Sequence, residues 1–123
     1  MRSLSFFRMA SNFRRLVAYR VSAELADEMH RTVRQWTDYD RMTVGLQLVR
    51  ATDSIHANIA EAAGRWTKTE RRNFLRIARG SLYEAEGWIA RAHARGLLSE
   101  DYEDRLSEIA RTLNGLIKRP TPE

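Results

Sequence analysis

The chain has 123 residues, of which 43% are hydrophobic, and a formal net charge of +5. A length of this order fits one domain, and the apolar fraction is high enough for that domain to fold alone. The chain has no cysteine, which excludes disulfides, thiolate zinc sites and a cysteine nucleophile. With 6 glycines and 2 prolines, the composition argues against a turn-rich all-β fold and favours helices.

The N-terminal segment is basic. Residues 1–20 contain five arginines and no acidic residue, so the remaining residues sum to zero charge. Arg8 interrupts the apolar residues near the start, so we expect no signal peptide. No stretch is apolar over the ~18 residues that a membrane span needs, and we therefore expect a cytoplasmic protein. Met9 is a second candidate for the first residue.

Four segments, at about 13–36, 41–63, 67–96 and 99–118, repeat apolar residues at the spacing of an amphipathic helix. The expected core positions are, in chain order, Ala18, Val21, Leu25, Met29, Val33, Trp36, Val44, Leu48, Ala51, Ile55, Ile59, Ala62, Phe74, Ala78, Ser81, Ala85, Trp88, Ala92, Tyr102, Leu106, Ile109, Leu113 and Leu116. Leu75, Leu82 and Ile89 widen the stripe of the third helix. Short connections make neighbouring helices antiparallel. We predict an all-α, antiparallel, up-down-up-down four-helix bundle over 13–118, with a basic arm over 1–12 and a tail over 119–123.

Several residues mark the expected helix ends. Asp38 or Asp40 is the predicted N-cap of the second helix, and Gly64 is its predicted stop. The sequence Thr67–Glu70 has the spacing of a capping box at the start of the third helix. Residues 100–101 are acidic, which favours the first turn of the fourth helix.

Two features of the second and third helices suggest contact with another copy of the chain. Met42, Leu46 and Val49 point away from the core stripe of the second helix, where a lone bundle should be polar. The alternative is a broad face buried between two neighbouring helices. Gly80 and Gly87 lie on one side of the third helix, which suggests close approach of another backbone; tolerated sequence drift is the alternative.

Enzymatic chemistry finds little support in the residue pattern. Asp27 with His30, and Asp53 with His56, have a spacing that resembles the ligand motif of di-iron bundles. All four lie off the core stripes, so they do not converge inside the bundle. We therefore predict no metal, no cofactor and no catalytic residue, and a metal-dependent bundle enzyme is the weakest of three functional hypotheses.

The strongest chemical signal is a basic face on the third helix. An arc of about 80° contains Lys68, Arg72, Arg76 and Arg79, opposite the predicted core stripe. A basic helical face can neutralise phosphates and release counterions, and an aromatic side chain such as Trp66 or Tyr83 can stack on exposed bases. The candidate nucleic-acid-binding residues are Arg65, Lys68, Arg71, Arg72, Arg76 and Arg79, with Arg14 and Arg15 from the N-terminal segment. The alternative is a solvated face whose arginines pair with neighbouring acids.

Two hypotheses follow for the function. In the first, a non-enzymatic, homo-oligomeric bundle binds structured RNA or DNA through arginine-lined surfaces and acts as an adaptor for a nucleic-acid enzyme. In the second, the same basic face binds an acidic partner protein and the chain is a protein-interaction scaffold.

Two motifs resemble those of a known family. Ser54–Arg65, SIHANIAEAAGR, and Ile77–Glu86, IARGSLYEAE, are similar to the signature of bacterial four-helix-bundle proteins found in intervening sequences of 23S rRNA genes. The resemblance covers roughly residues 13–117. It implies a ring-shaped homopentamer. A related branch, the accessory variability protein of diversity-generating retroelements, implies nucleic acid and a reverse transcriptase as partners, but the motifs here fit the broader family better.

The resemblance also implies a set of polar family positions, Asn58, Glu61, Arg79, Ser81 and Glu84, whose role can be structural. Our hypothesis is that Glu61 pairs with Arg79 across the second and third helices or across a subunit contact. Two departures from the family pattern affect the second helix. His56 stands where the family has proline, so we do not expect the family's bend there. The sequence Ala62–Gly64 replaces a Gly-aromatic-Gly pattern, so we do not expect the helix to end in the family's manner.

Overall fold

A computed structural model describes residues 13–119 of the chain, and within this range the secondary structure is helical, without a β-strand. The first helix, α1, spans Phe13–Arg34. The second, α2, is a continuous run of three segments: Asp38–Asp40 is α-helical, Arg41–Gly45 is π-helical and Leu46–Ala63 is α-helical. The remaining helices are α3, Lys68–Ala94, and α4, Glu103–Lys118. The predicted arm over 1–12 and most of the tail lie outside the described residues.

The four helices form a bundle in which each packs against two others. α1 contacts α2 and α4, and α3 contacts the same two helices. Most of the predicted core positions face the interior: the largest fully buried apolar side chains are Leu25, Met29, Leu48, Ile55, Ile59, Leu82, Ile89, Ile109, Leu113 and Leu116. Burial of each such side chain contributes about 1.5–3 kcal/mol, which makes this core the main stabilising term. Trp36 and Trp88 are half-buried and pack against it. Four other predicted core positions, Val21, Phe74, Ser81 and Tyr102, are also only half-buried.

The helix boundaries confirm part of the prediction. α2 ends at Ala63 and Gly64 is its C-cap, while Gly96, with a φ of 76°, follows the end of α3. The Thr67 hydroxyl accepts a hydrogen bond from the Glu70 amide at 3.1 Å, as the capping box predicts. α2 also passes through His56 without interruption, so the helix has no break at the position where the family has proline.

The start of α4 was predicted wrongly. The helix begins at Glu103 instead of Ser99, and its N-cap, Tyr102, has a left-handed backbone with a φ of 58°. The Asp101 carboxylate accepts a hydrogen bond from the Glu103 amide at 3.1 Å, so this acid lies before the helix and caps its first turn. Leu98, in the connection between α3 and α4, is buried against the core. The connection therefore packs on the bundle before α4 begins at Glu103.

The start of α2 also differs from the prediction. Thr37, with an extended backbone, is the N-cap instead of Asp38 or Asp40. The π-helical segment Arg41–Gly45 brings Gly45 against Val33 of α1 and against Trp36, which lies in the connection between α1 and α2. A Cβ atom at Gly45 would lie 2.6 Å from Val33 Cγ1 and 3.4 Å from Trp36 Cε3. A residue without a side chain is therefore required for this turn of α2 to approach α1.

We expect Gly45→Ala to destabilise the protein, because the added methyl group has no space and Val33 is itself buried. Overpacking of this kind costs about 1–3 kcal/mol. Urea denaturation would measure the change in the free energy of unfolding. Gly80→Ala is the matched control for packing within one chain. Apart from the neighbouring backbone of its own helix, no atom of the described chain lies within 4 Å of its added carbon, so in the dissociated chain removal of this helix-interior glycine should stabilise by up to ~1 kcal/mol. Equal midpoints for the two variants would contradict the close packing at Gly45.

Candidate nucleic-acid interface

The helices bring distant segments of the chain together at one end of the bundle. Tyr19 and His56 lie ring against ring, with centroids 4.4 Å apart. Arg72 Nε donates a hydrogen bond to the Ile117 carbonyl at 3.0 Å. Arg14 lies against Gly115 on α4. The N-terminal part of α1, the corner between α2 and α3, and the C-terminal part of α4 therefore share one end.

Charge is divided unevenly between the two ends. Residues 13–20, 53–80 and 111–119, which we call the basic half, contain 12 basic and 3 acidic side chains, a balance of +9. Residues 21–52 and 81–110, the acidic half, contain 7 basic and 12 acidic side chains, a balance of −5. A field of one sign at one end attracts ligands of the opposite sign. The basic half is therefore the part of the described chain best suited to a polyanion.

The C-terminal part of α4 contacts the basic segments of both α1 and α3, and the sequence motifs did not indicate it. Arg111, Gly115 and Lys118 are spaced by four and three residues, so they share one face of the helix. Arg111 and Lys118 are exposed. Arg14, also exposed, rests on Gly115, where an added Cβ would lie 3.0 Å from its Nη1 atom. These cations come from the two ends of the chain, so only the fold reveals that they are neighbours.

The basic arc of α3 is placed differently from the prediction. Arg72 and Arg79 are half-buried on the side facing α4: Arg79 Nη1 donates to Asn114 Oδ1 at 3.0 Å, and Arg72 binds the Ile117 carbonyl. The arc therefore flanks α4 instead of lying opposite the core. Lys68 and Arg76 are exposed and remain on the surface of the basic half.

Two predicted binding residues are in the interior. Arg71 is 2% exposed and Arg15 is 5% exposed, so the structure corrects their assignment as surface contacts. Arg71 Nη1 donates to the carbonyls of Arg65 at 3.0 Å and Trp66 at 2.8 Å. Since Arg71 precedes Leu75 by four residues and Ala78 by seven, it lies on the buried line of α3. That spacing is a signal in the sequence that could have identified it.

The Glu61–Arg79 hypothesis is wrong within one chain. Glu61 Oε1 accepts from Arg65 at 2.5 Å, one turn along the same segment, while Arg79 binds Asn114. The Arg65 guanidinium also lies over the Phe74 ring, 4.6 Å from its centroid. Because the Glu61–Arg65 pair is solvent-exposed, its contribution to stability is at most about 1 kcal/mol.

Other family positions line the contact between α2 and α3. The Ser54 and Ser81 hydroxyls are 2.7 Å apart, and Asn58 Nδ2 donates to the Ser54 carbonyl at 2.8 Å. These bonds satisfy polar groups that the contact partly buries. Glu84 is exposed. His56 Nδ1 lies 3.2 Å from both the Ser22 hydroxyl and the Tyr19 carbonyl, between α1 and α2.

The residues predicted to face another copy lie at or near the surface of this chain. Met42 is exposed, and Leu46 and Val49 are half-buried. Gly80 and Gly87 are exposed, and within the described residues no atom approaches a Cβ placed on either glycine. The close approach that these glycines suggest is therefore not made inside the chain, and contact with a second copy stays a prediction.

The opposite end carries a run of acids around Tyr102. Burial raises the pKa of the Tyr102 hydroxyl, and the nearby Glu28 and Glu100 carboxylates raise it further, against the opposing effect of Arg105. Glu28 pairs with Arg105 between α1 and α4. Among residues 13–119, no helix is long and apolar enough to span a membrane, and no cluster of His, Asp and Glu has the arrangement of a metal site.

These features define a class: a helical bundle with a strongly basic end assembled from three segments of the chain. A model of the 23S rRNA-intervening sequence protein family matches residues 14–119. The chain therefore belongs to the 23S rRNA-intervening sequence protein family, as its two motifs indicate. No curated protein matches the chain.

Arg71 provides a test of the corner between α2 and α3. Arg71→Met should keep the apolar stem but lose the hydrogen bonds to the two backbone carbonyls. Because a hydrogen bond to a charged group is worth about 1.5–3 kcal/mol, we expect a loss of roughly 2–4 kcal/mol in unfolding free energy. Arg76→Met, one turn further along and exposed, should change stability by less than about 0.5 kcal/mol. Similar urea midpoints for the two variants would contradict the structural role of Arg71.

Proposed function

We propose that this protein is a non-enzymatic, cytoplasmic, homo-oligomeric adaptor that binds RNA or DNA through its basic half. The observation that carries the proposal is the separation of charge, +9 in the basic half against −5 in the acidic half. Exposed cations in the basic half include Arg14, Lys68, Arg76, Arg111, Lys118 and Arg119. Regularly spaced phosphates are the ligand that such a surface fits, because each neutralised phosphate releases counterions.

The description of the family names an intervening sequence of 23S rRNA, and RNA is therefore the first nucleic acid to test. The resemblance to the accessory protein of diversity-generating retroelements suggests a reverse transcriptase as the partner enzyme. In this proposal the basic half holds the nucleic acid, and the acidic half is left for a partner protein.

The proposal includes an antiparallel arrangement of the helices. Its support is the order of the contacts between them. Along α3, Arg72 meets Ile117 and the later Arg79 meets the earlier Asn114 on α4. Since residue numbers rise on one helix and fall on the other, the two helices run in opposite directions.

The proposal also includes a homopentamer, which the family resemblance implies. Two exposed surfaces support contact between copies. On α3, Ile77 is 51% exposed and Tyr83 55% exposed, and Gly80 and Gly87 lie close to them on the helix. At the start of α2, Met42 is 64% exposed. Exposed apolar side chains of this size often mark interaction surfaces.

We expect untagged protein to elute as a pentamer with an excess of absorbance at 260 nm over that of protein alone. Size-exclusion chromatography with light scattering, recorded at 260 and 280 nm, measures both properties in one run. A pentamer that carries no nucleic acid and fails to bind added RNA would favour the scaffold for an acidic partner protein. A monomer would remove the assembly from the proposal.

Charge variants locate the binding surface. Arg111→Gln with Lys118→Gln removes two cations from the basic half, and Arg31→Gln with Arg91→Gln removes two exposed cations from the acidic half. Each phosphate contact contributes about 0.7–0.9 to the slope of log affinity against log salt. We expect the first pair to reduce that slope by roughly 1–2 and the second to leave it unchanged, as measured by anisotropy of labelled RNA. Equal losses for both pairs would indicate attraction by net charge alone.

A further inference from the structure

Among the tryptophans of residues 13–119, Trp66 has the most exposed side chain. It lies at the corner between α2 and α3. Its side chain is 68% exposed, whereas Trp36 and Trp88 are half-buried against the core. Trp combines a large apolar face with a polar N–H group, and it is enriched at interfaces for this reason.

The backbone that carries Trp66 is held in place from the interior. Arg71, 2% exposed, donates to the carbonyls of Arg65 and Trp66 at 3.0 and 2.8 Å. On the other side, Thr67 is the N-cap of α3: its hydroxyl accepts from the Glu70 amide, and its carbonyl accepts from the Arg71 amide at 3.0 Å. A ring presented from a fixed backbone loses less conformational entropy when a ligand binds than a ring on a mobile loop.

Cations flank the ring. Arg65 precedes it, oriented by Glu61 and by the face of Phe74, and Lys68, an exposed residue, follows within two positions. The combination of a rigid aromatic face with flanking positive charge is how proteins bind single-stranded nucleic acid: the ring stacks on a base, and the cations contact the phosphates on either side. A paired base inside a duplex has no free face for this contact.

We propose that Trp66 stacks on an unpaired base, so that the ligand of the basic half contains a single-stranded or looped nucleotide. Arg71 is then a positioning residue, which holds the ring outward without touching the ligand. This inference rests on the proposed function, because it requires that nucleic acid bind at all. It goes further in assigning a residue that distinguishes unpaired from paired nucleotides.

The test compares labelled oligouridine with a labelled RNA duplex that has the same number of phosphates. Trp66→Ala should weaken oligouridine binding by about 5- to 150-fold, the range of one lost base stack. The salt dependence should stay as in the parent, since no charge is removed, and duplex binding should not change. Trp66→Phe should retain most of the affinity. Tyr39→Ala, which removes a 78% exposed aromatic ring from the acidic half, is the matched control and should bind as the parent does.

A second measurement follows the ring directly. Stacking on a base should lower the tryptophan emission of the parent when oligouridine is added, and Trp66→Phe should lose that decrease while Trp36 and Trp88 still emit. Light scattering of the free Trp66→Ala protein should give the parent's mass.

Four outcomes would overturn the inference. Undiminished oligouridine binding by Trp66→Ala would show that the ring is not used, and an equal loss for oligouridine and duplex would show that it does not select unpaired bases. A smaller mass for Trp66→Ala would assign the ring to a contact between copies of the chain. If the parent binds neither RNA at low salt, and binds neither single-stranded nor duplex DNA of the same length, the proposed function fails and the inference fails with it. In the first three cases the proposed function stands.

Discussion

The buried guanidinium of Arg71 is the interaction on which the basic end of the molecule depends. A charge removed from water is costly unless its hydrogen bonds are made inside the protein. Here the carbonyls of Arg65 and Trp66 supply them, and these carbonyls lie where α2 has ended and α3 has not begun. The same contact therefore stabilises the arginine and fixes the corner. The conformation of this corner sets the direction in which α3 begins, and that direction determines where the cations in the first turns of α3 lie.

Local spacing predicted much of the fold because helix periodicity and helix ends depend on neighbours in sequence. The buried lines through Leu25, Ile55 and Leu113 agree with the expected stripes, and Gly64 and Thr67 lie at the boundaries that their chemistry indicates. The π-helical turn could not be found this way. The turn depends on the fit of Gly45 against Val33, which lies on α1, and against Trp36, which follows the end of α1.

The candidate interface was predicted less well, for a related reason. A basic stretch of sequence marks where charges are dense, but it does not tell which of them reach the surface. Arg71 and Arg72 are adjacent, and a rotation of about 100° along the helix separates a core position from a half-buried one that faces α4. The contribution of Arg111 and Lys118 depends on α4 returning to the end where α1 begins. No local pattern contains that information.

The division of charge between the two halves has a consequence for the encounter with a ligand, separate from the strength of the final complex. Nine positive charges in excess at one end and five negative at the other give the bundle a large permanent dipole moment along its length. In the field of a polyanion, such a molecule experiences a torque that turns its basic end forward before any contact is made. Orientation normally limits association, and the loss of that limit raises the on-rate. In the proposed function, the bundle would therefore approach a polyanion with its basic end forward and its acidic end towards solvent.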